Sequence, residues 1–425
     1  MQRQSRPHQT LGGRFLKSPT AIILAAALFL LLTCSAPLAP GSIGSGMVSR
    51  FAPGSGPGQS PGVPIQGMAQ AEVMATEAIG PLQSSSEALA TLVPLPSPSP
   101  SNDQLAIALD KYLTDMTSNG WFQGTVLVAR KGNVLLAKGY GPADGERGVN
   151  NSDQTEFRLA SLTKQFTAVG ILRLVAQGKL SLDDTICRYI DTCPEAWQQV
   201  RIRHLLNHSS GIADYTDFLD FAQTEGQPAT PNELLARFRD IPLAFPPGEL
   251  YDYCNSGYVL LGMVIERVSG RSYADFIQQE IFKPLDMQHS GYDDSRGPNP
   301  RFAQGYSNGQ KTGFLNTTTL FSAGGLYSTV WDLYRWDQAL YTEKLLPQSL
   351  LNAMFTPGNG SYGYGWKIER PNNHVRISHA GNMTGVSNFV ARYPDDQLTV
   401  IVLSNLENAS SASISDYLAA LVMGS

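Results

Sequence analysis

The chain has 425 residues, a formal net charge of -5 and 42% hydrophobic residues. A mildly acidic balance supplies no basic field to neutralise phosphates, which excludes nucleic acid as the main partner. The apolar fraction is enough for a sizeable core.

The N-terminus reads as a targeting segment. Arg3, Arg6, Arg14 and Lys17 form a basic region ahead of an apolar run from Ala21 to Leu32. That run is shorter than the roughly 20 residues a spanning helix needs. Extended through Ala36 it becomes borderline, so residues 1–39 are either a cleaved signal peptide or a retained membrane anchor. Leu31-Leu32-Thr33-Cys34 loosely resembles a lipoprotein box, with Thr33 unfavourable before the cysteine. Export to the periplasm or another extracytoplasmic compartment is the expectation. Residues 40–101 are rich in Gly, Ser and Pro and end in Pro94-Leu95-Pro96-Ser97-Pro98-Ser99-Pro100, an extended tether.

Globular sequence occupies 102–425. Leu105, Leu109, Tyr112, Leu113 and Met116 recur at helical spacing. Thr125–Arg130 and Val134–Lys138 then read as strands joined by Lys131-Gly132-Asn133. A helix with Phe166, Val169, Leu172 and Val175 on one face follows. Leu180 to Leu350 reads as mainly helix and loop. Tyr364–Ile368, Val375–Ser378, Val386–Tyr393 and Leu398–Leu403 return to strands, the last two as a hairpin around Pro394-Asp395-Asp396. Ile414, Tyr417, Leu418, Leu421 and Val422 mark a closing helix. This order predicts an α+β fold: an antiparallel β-sheet assembled from both ends of the domain, flanked by helices, with a second, mainly helical lobe. A cleft between the lobes is the expected place for a site.

Three ordered elements carry chemistry. Ser161-Leu162-Thr163-Lys164 is the only S-x-x-K in the chain. On a helix this spacing sets the lysine beside the serine. A serine hydroxyl needs a neighbouring base, and a lysine can supply one when burial lowers its pKa. Tyr253-Cys254-Asn255 comes second. A phenolate favoured by the nearby ammonium could take the serine proton, and the Asn255 amide could orient lysine and substrate. Third is His379-Ala380-Gly381 at the end of a strand. The N–H groups of Asn382 and Ser161 are candidates for an oxyanion hole.

Three other patterns compete. Lys311-Thr312-Gly313 lies between turn-like Asn308-Gly309 and Phe314, without the strand, hairpin and helix that follow His379. Gly58-Gln59-Ser60-Pro61-Gly62 falls in the tether, where a nucleophile elbow has no strand or helix to sit on. His204 and His208 have the spacing of a metalloprotease pair, but Leu205 stands where a glutamate is needed. Tyr306-Ser307-Asn308 reads as a turn. Cys187 and Cys193 could pair as a small-loop disulfide in an oxidising compartment, with two free thiols as the alternative. Cys254 reads as a small buried side chain.

Together the three elements resemble the serine β-lactamase and penicillin-binding protein superfamily, in the group of class C β-lactamases, D-alanyl-D-alanine carboxypeptidases and related esterases. Supporting stretches are His204 to Ile212, Pro247-Gly248 and Ala323 to Thr329. The resemblance implies an acyl-enzyme on Ser161, proton handling by Lys164 and Tyr253, and substrate or oxyanion binding by Asn255, His379, Gly381 and Asn382. His379 and Gly381 match an H-x-G form where other members have K-T-G. No metal or organic cofactor is implied. The implied substrate is a peptidoglycan peptide or other small molecule, most directly for D-alanyl-D-alanine carboxypeptidase. β-Lactamase, esterase and a non-catalytic binding or sensor protein are the alternatives.

Overall fold

The computed structural model describes residues 100–424, apart from Arg296 and Pro298. The targeting segment and all but the end of the tether lie outside the described residues. Among the described residues, no helix is long and apolar enough to cross a membrane.

Helix α1, Asn102–Ser118, starts where a capping box allows it. The Ser101 hydroxyl accepts from the Gln104 N–H at 3.2 Å, and the Gln104 side chain accepts from the Ser101 N–H at 2.9 Å. Leu105, Leu109 and Leu113, four residues apart, form its buried stripe.

Six strands build the main sheet: β1 Gly124–Arg130, β2 Asn133–Tyr140, β3 Lys367–Glu369, β4 Arg376–Met383, β5 Val386–Tyr393 and β6 Leu398–Ser404. Their order is β3-β4-β5-β6-β1-β2, antiparallel throughout. The last strand therefore pairs with the first, Gly124 opposite Ser404 and Arg130 opposite Leu398. Both faces are covered. Val126, Val128, Val400 and Val402 pack with α1 and the closing helix α4, Ser411–Met423. Leu127, Ala129, Ile401 and Leu403 face the larger helical core. Alternate side chains of one strand thus enter two different cores, which is why these strands read as unbroken apolar runs.

The helical core centres on α2, Thr163–Ala176, and α3, Asn255–Ser269. Sequence spacing predicts an apolar stripe on α2. Instead every residue from Thr163 to Leu172 is buried, because α3, the helices at Phe321–Gly324 and Tyr273–Ile277 and the Gln348–Met354 helix surround it. Two strands also differ from expectation. The strand expected at Tyr364–Ile368 forms instead at Lys367–Glu369, and Val375–Ser378 extends to Met383 through its ladder with β5. Cys187 and Cys193 are bonded to each other, and Cys254 is free and buried.

Candidate active site

Ser161 does not lie on α2 itself. It sits in a single 3-10 turn, Ala160–Leu162, that leads into the helix, and Lys164 lies in the first α-helical turn. Ala160 has φ +50°, a left-handed conformation unusual for a residue with a Cβ. The segment is held there from both sides. The Asn388 amide of β5 donates to the Arg158 carbonyl at 2.9 Å, and the Leu159 N–H donates to Leu326 O at 2.8 Å. Strand β4 runs against the same turn. A Cβ on Gly381 would stand 2.2 Å from the Leu159 carbonyl oxygen, so only glycine lets the strand approach this closely.

Lys164 is wholly buried. Its Nζ lies 2.7 Å from Asn255 Oδ1, 3.0 Å from Ala323 O and 3.1 Å from Ser161 Oγ. Burial pulls its pKa down to about 7, with the Asp214 carboxylate and Cys254 pulling the other way. The neutral amine has two N–H donors and one lone pair. Asn255 Oδ1 and Ala323 O can only accept, so they take the two hydrogens and the lone pair is left facing the Ser161 hydroxyl. Ala323 is brought this near because α3 packs closely on its segment: a Cβ on Gly262 would stand 2.0 Å from Ser322 Oγ.

Asn255 is itself oriented by groups the motif does not include. Asp214 Oδ2 accepts from the Asn255 backbone N–H at 2.8 Å and from its Nδ2 at 3.0 Å. Nδ2 also donates to Thr216 Oγ1 at 2.9 Å, and that hydroxyl donates to Asp214 Oδ1 at 2.9 Å. With Nδ2 so occupied, Oδ1 must face the lysine. Asp214 and Thr216 lie two and four residues beyond the flagged His204–Ile212 stretch, but no spacing rule marks them.

Tyr253 packs on His208, ring centroids 4.3 Å apart, and its ring lies 4.8 Å from Lys164 Nζ. The expectation that the ammonium favours a phenolate is not met. Burial pushes the Tyr253 hydroxyl up, reinforced by Tyr251, Asp214 and Cys254, while the Ser161 hydroxyl pulls it only partly back. The resting group is therefore the phenol. His208 lies beyond the short helix Ile202–Leu206, with φ +59°, among the rings of Tyr251, Tyr253, Tyr258 and Tyr362. Its Nδ1 accepts from the Cys254 N–H at 3.0 Å. Burial and then the Lys164 charge hold it well below the usual histidine range. The Cys254 thiol donates to Ile212 O, and burial pushes its pKa up to about 12.

His379 is 6% exposed. The Ala380 carbonyl can only accept, so the His379 Nδ1, 2.5 Å away, carries the hydrogen. Its Nε2 then accepts from the Tyr362 hydroxyl at 2.7 Å. Burial, followed by the Lys164 charge, pulls its pKa down to about 3. Asn382 is exposed at the far end of β4, opposite Ser387 of β5.

The structure thus gathers Ser161, Lys164, Tyr253 and Asn255 into one constellation and lays β4, with His379 and Gly381, along its edge. Lys311 stands apart. It belongs to the hairpin Tyr306–Ser307 and Gln310–Lys311, and its ammonium pairs with Glu146 at 2.6 Å.

The Beta-lactamase family profile matches residues 109–423. Penicillin-binding protein 4* of Bacillus subtilis (strain 168) is 34% identical over 312 residues, covering 67% of this chain and 68% of that protein. Two solved structures, each 28% identical, share the fold. The octameric penicillin-binding protein homologue from Pyrococcus abyssi superposes with a TM-score of 0.68 over 75% of this chain and 77% of its own. The penicillin binding protein from Bacillus halodurans does so with a TM-score of 0.66 over 73% and 99%. With its α+β architecture and its serine–lysine–tyrosine constellation, the chain belongs to the β-lactamase family of serine hydrolases.

Proposed function

We propose that this chain is an exported hydrolase that opens the D-alanyl carbonyl of peptidoglycan peptides through an acyl-enzyme on Ser161, in the manner of a D-alanyl-D-alanine carboxypeptidase. The observation that carries it is the wholly buried Lys164 amine, its pKa pulled down to about 7 by burial, with Nζ 3.1 Å from Ser161 Oγ. Ser161 Oγ attacks the carbonyl, and its proton passes to Lys164 Nζ. The N–H groups of Ser161 and Asn382 hold the developing oxyanion. As the C–N bond breaks, the Tyr253 phenol gives its proton to the leaving nitrogen and is resupplied from the Lys164 ammonium. Water then attacks the ester by the reverse relay and frees Ser161.

The similarity to proteins named for binding penicillin supports a β-lactam as a second acyl donor. The basic and apolar N-terminal pattern supports export, as does the Cys187–Cys193 bond, which persists in oxidising compartments. The test is mass spectrometry of the purified protein after exposure to a penicillin. The expected result is one adduct on Ser161, absent from Ser161→Ala. An adduct of unchanged yield in that variant would overturn the scheme.

A further inference from the structure

The proton carrier of the proposed relay stands on backbone that secondary structure does not fix. Helix α3 begins at Asn255 and holds that residue, but residues 251–254, just ahead of it, form neither helix nor strand. A phenol that must meet Ser161 Oγ and a leaving nitrogen within hydrogen-bond reach needs both its backbone and its ring held in place. Both holds come from one residue, His208.

His208 takes a left-handed turn, φ +59°, a region that histidine, asparagine and aspartate enter more readily than other residues bearing a Cβ. From that turn its carbonyl accepts from the Asp252 N–H at 2.9 Å, and its Nδ1 accepts from the Cys254 N–H at 3.0 Å. The two amides flanking Tyr253 therefore both end on His208. The imidazole also lies against the Tyr253 ring, with centroids 4.3 Å and planes 34° apart. His204, its partner in the metalloprotease spacing, is turned elsewhere: its Nδ1 accepts from the Arg201 N–H at 3.2 Å.

The choice of side chain is informative. With Nδ1 accepting, the neutral ring carries its hydrogen on Nε2. Among the described residues that buried N–H has no hydrogen-bond acceptor, and the rings of Tyr251, Tyr258 and Tyr362 stand around the imidazole. A buried donor without an acceptor is costly. Phenylalanine would remove that cost and keep a ring, but would strand the Cys254 N–H. Asparagine would keep an acceptor in the place of Nδ1 and lose the ring. Imidazole joins a flat face to an in-plane acceptor, without charge.

We propose that His208 is a positioning residue for proton transfer: it aligns the Tyr253 phenol with Ser161 and the leaving nitrogen, and takes no proton itself. This rests on the Tyr253–Lys164 relay at Ser161 and adds to it the residue that holds the phenol in register.

The test is a double-mutant cycle in the purified full-length protein, with benzylpenicillin as the acyl donor. Timed mass spectrometry gives the rate of acylation of Ser161, and its dependence on penicillin concentration separates that rate from the dissociation constant of the preceding complex. His208→Asn and His208→Phe, each checked for folding by its thermal melt, should slow acylation about ten- to hundredfold, the scale of a misplaced proton carrier. The dissociation constant should stay within about twofold, as for a group that acts only in the transition state. Introduced into Tyr253→Phe, where no hydroxyl remains to be aligned, the same substitutions should cost less than about twofold further. A loss as large in Tyr253→Phe as in the wild type, or no loss in either, overturns the inference and leaves the proposed function standing. If neither His208 variant folds, the wild-type protein decides: nitrogen-15 shifts of His208 at neutral pH should show a bare Nδ1 and an Nε2–H, and the opposite tautomer overturns the inference. Acylation of Tyr253→Phe at the wild-type rate, or no adduct on Ser161 in the wild type, overturns the proposed function, and the inference with it.

Discussion

Two lysines in this molecule stand in motif-like sequence, and their surroundings make them chemical opposites. Lys164 is wholly buried, meets three oxygen atoms and is pulled down to about 7. Lys311, in a literal K-T-G, sits on an exposed hairpin where its bond to Glu146 raises its pKa. Desolvation turns one ammonium into a base at neutral pH. Water and a counter-ion keep the other a surface charge. The lesson is that a short motif names residue types, and burial decides what they can do.

The contrast can be broken or sharpened by substitution. The largest effect in the constellation after loss of Ser161 should come from Tyr253→Phe, which keeps the ring on His208 but removes the hydroxyl that the proposed relay uses. Loss of such a group typically costs about 10²–10⁴ in rate, so ester or peptide turnover should fall by that order while the thermal melt stays put. A fall below tenfold would take Tyr253 out of the relay. Gly381→Ala comes next. Its methyl would meet the Leu159 carbonyl at 2.2 Å, and backbone cannot move aside cheaply. Overpacking of this kind costs about 1–3 kcal/mol, so both the melting temperature and turnover should drop, and an unaffected variant would mean β4 can draw back freely.

Asp214→Asn tests the setting of the base. The proposed relay requires the neutral Lys164 amine, so kcat/KM should rise as pH climbs through about 7. The Asp214 charge favours the ammonium and holds that pKa up against burial. Its removal should therefore move the rising limb to lower pH. The other groups facing the amine, Tyr253, Cys254, His208 and His379, are unchanged by the substitution and uncharged near neutrality. A limb that moves to higher pH, measured on one substrate in both proteins, would contradict the assignment. Smallest of all is Lys311→Ala. An exposed ion pair contributes little, so turnover should stay within about twofold, and a larger loss would bring the hairpin into the site.

Much of this was legible because local pattern and burial agree. Leu105, Leu109 and Leu113 mark α1, and the apolar run Val386–Tyr393 marks β5 to the residue. Strand β4 was cut short at Ser378 because His379, Gly381 and Asn382 carry no strand signal; a ladder to β5 holds them. The stripe expected on α2 failed for a related reason, since neighbours on every side leave no polar face to contrast with it. Within the site, Ser161, Lys164, Tyr253 and Asn255 can be picked out by residue type and order. The Tyr253 protonation state cannot, because it depends on how much water the fold removes. Asp214 and Tyr362 act through hydrogen bonds to Asn255 and His379 from distant parts of the chain, and only tertiary structure makes them neighbours.

The pairing of β6 with β1 also governs when the domain can form. The strand made first stays half-paired until the strand made nearly last arrives. Closing that gap means bringing together almost the whole length of the domain, a non-local contact that forms slowly. A chain that has emerged only as far as β2 lacks the four strands that complete the sheet, so it has no native domain to present. Closure of the sheet waits for β6, and until then the apolar faces that the two cores will cover stay open.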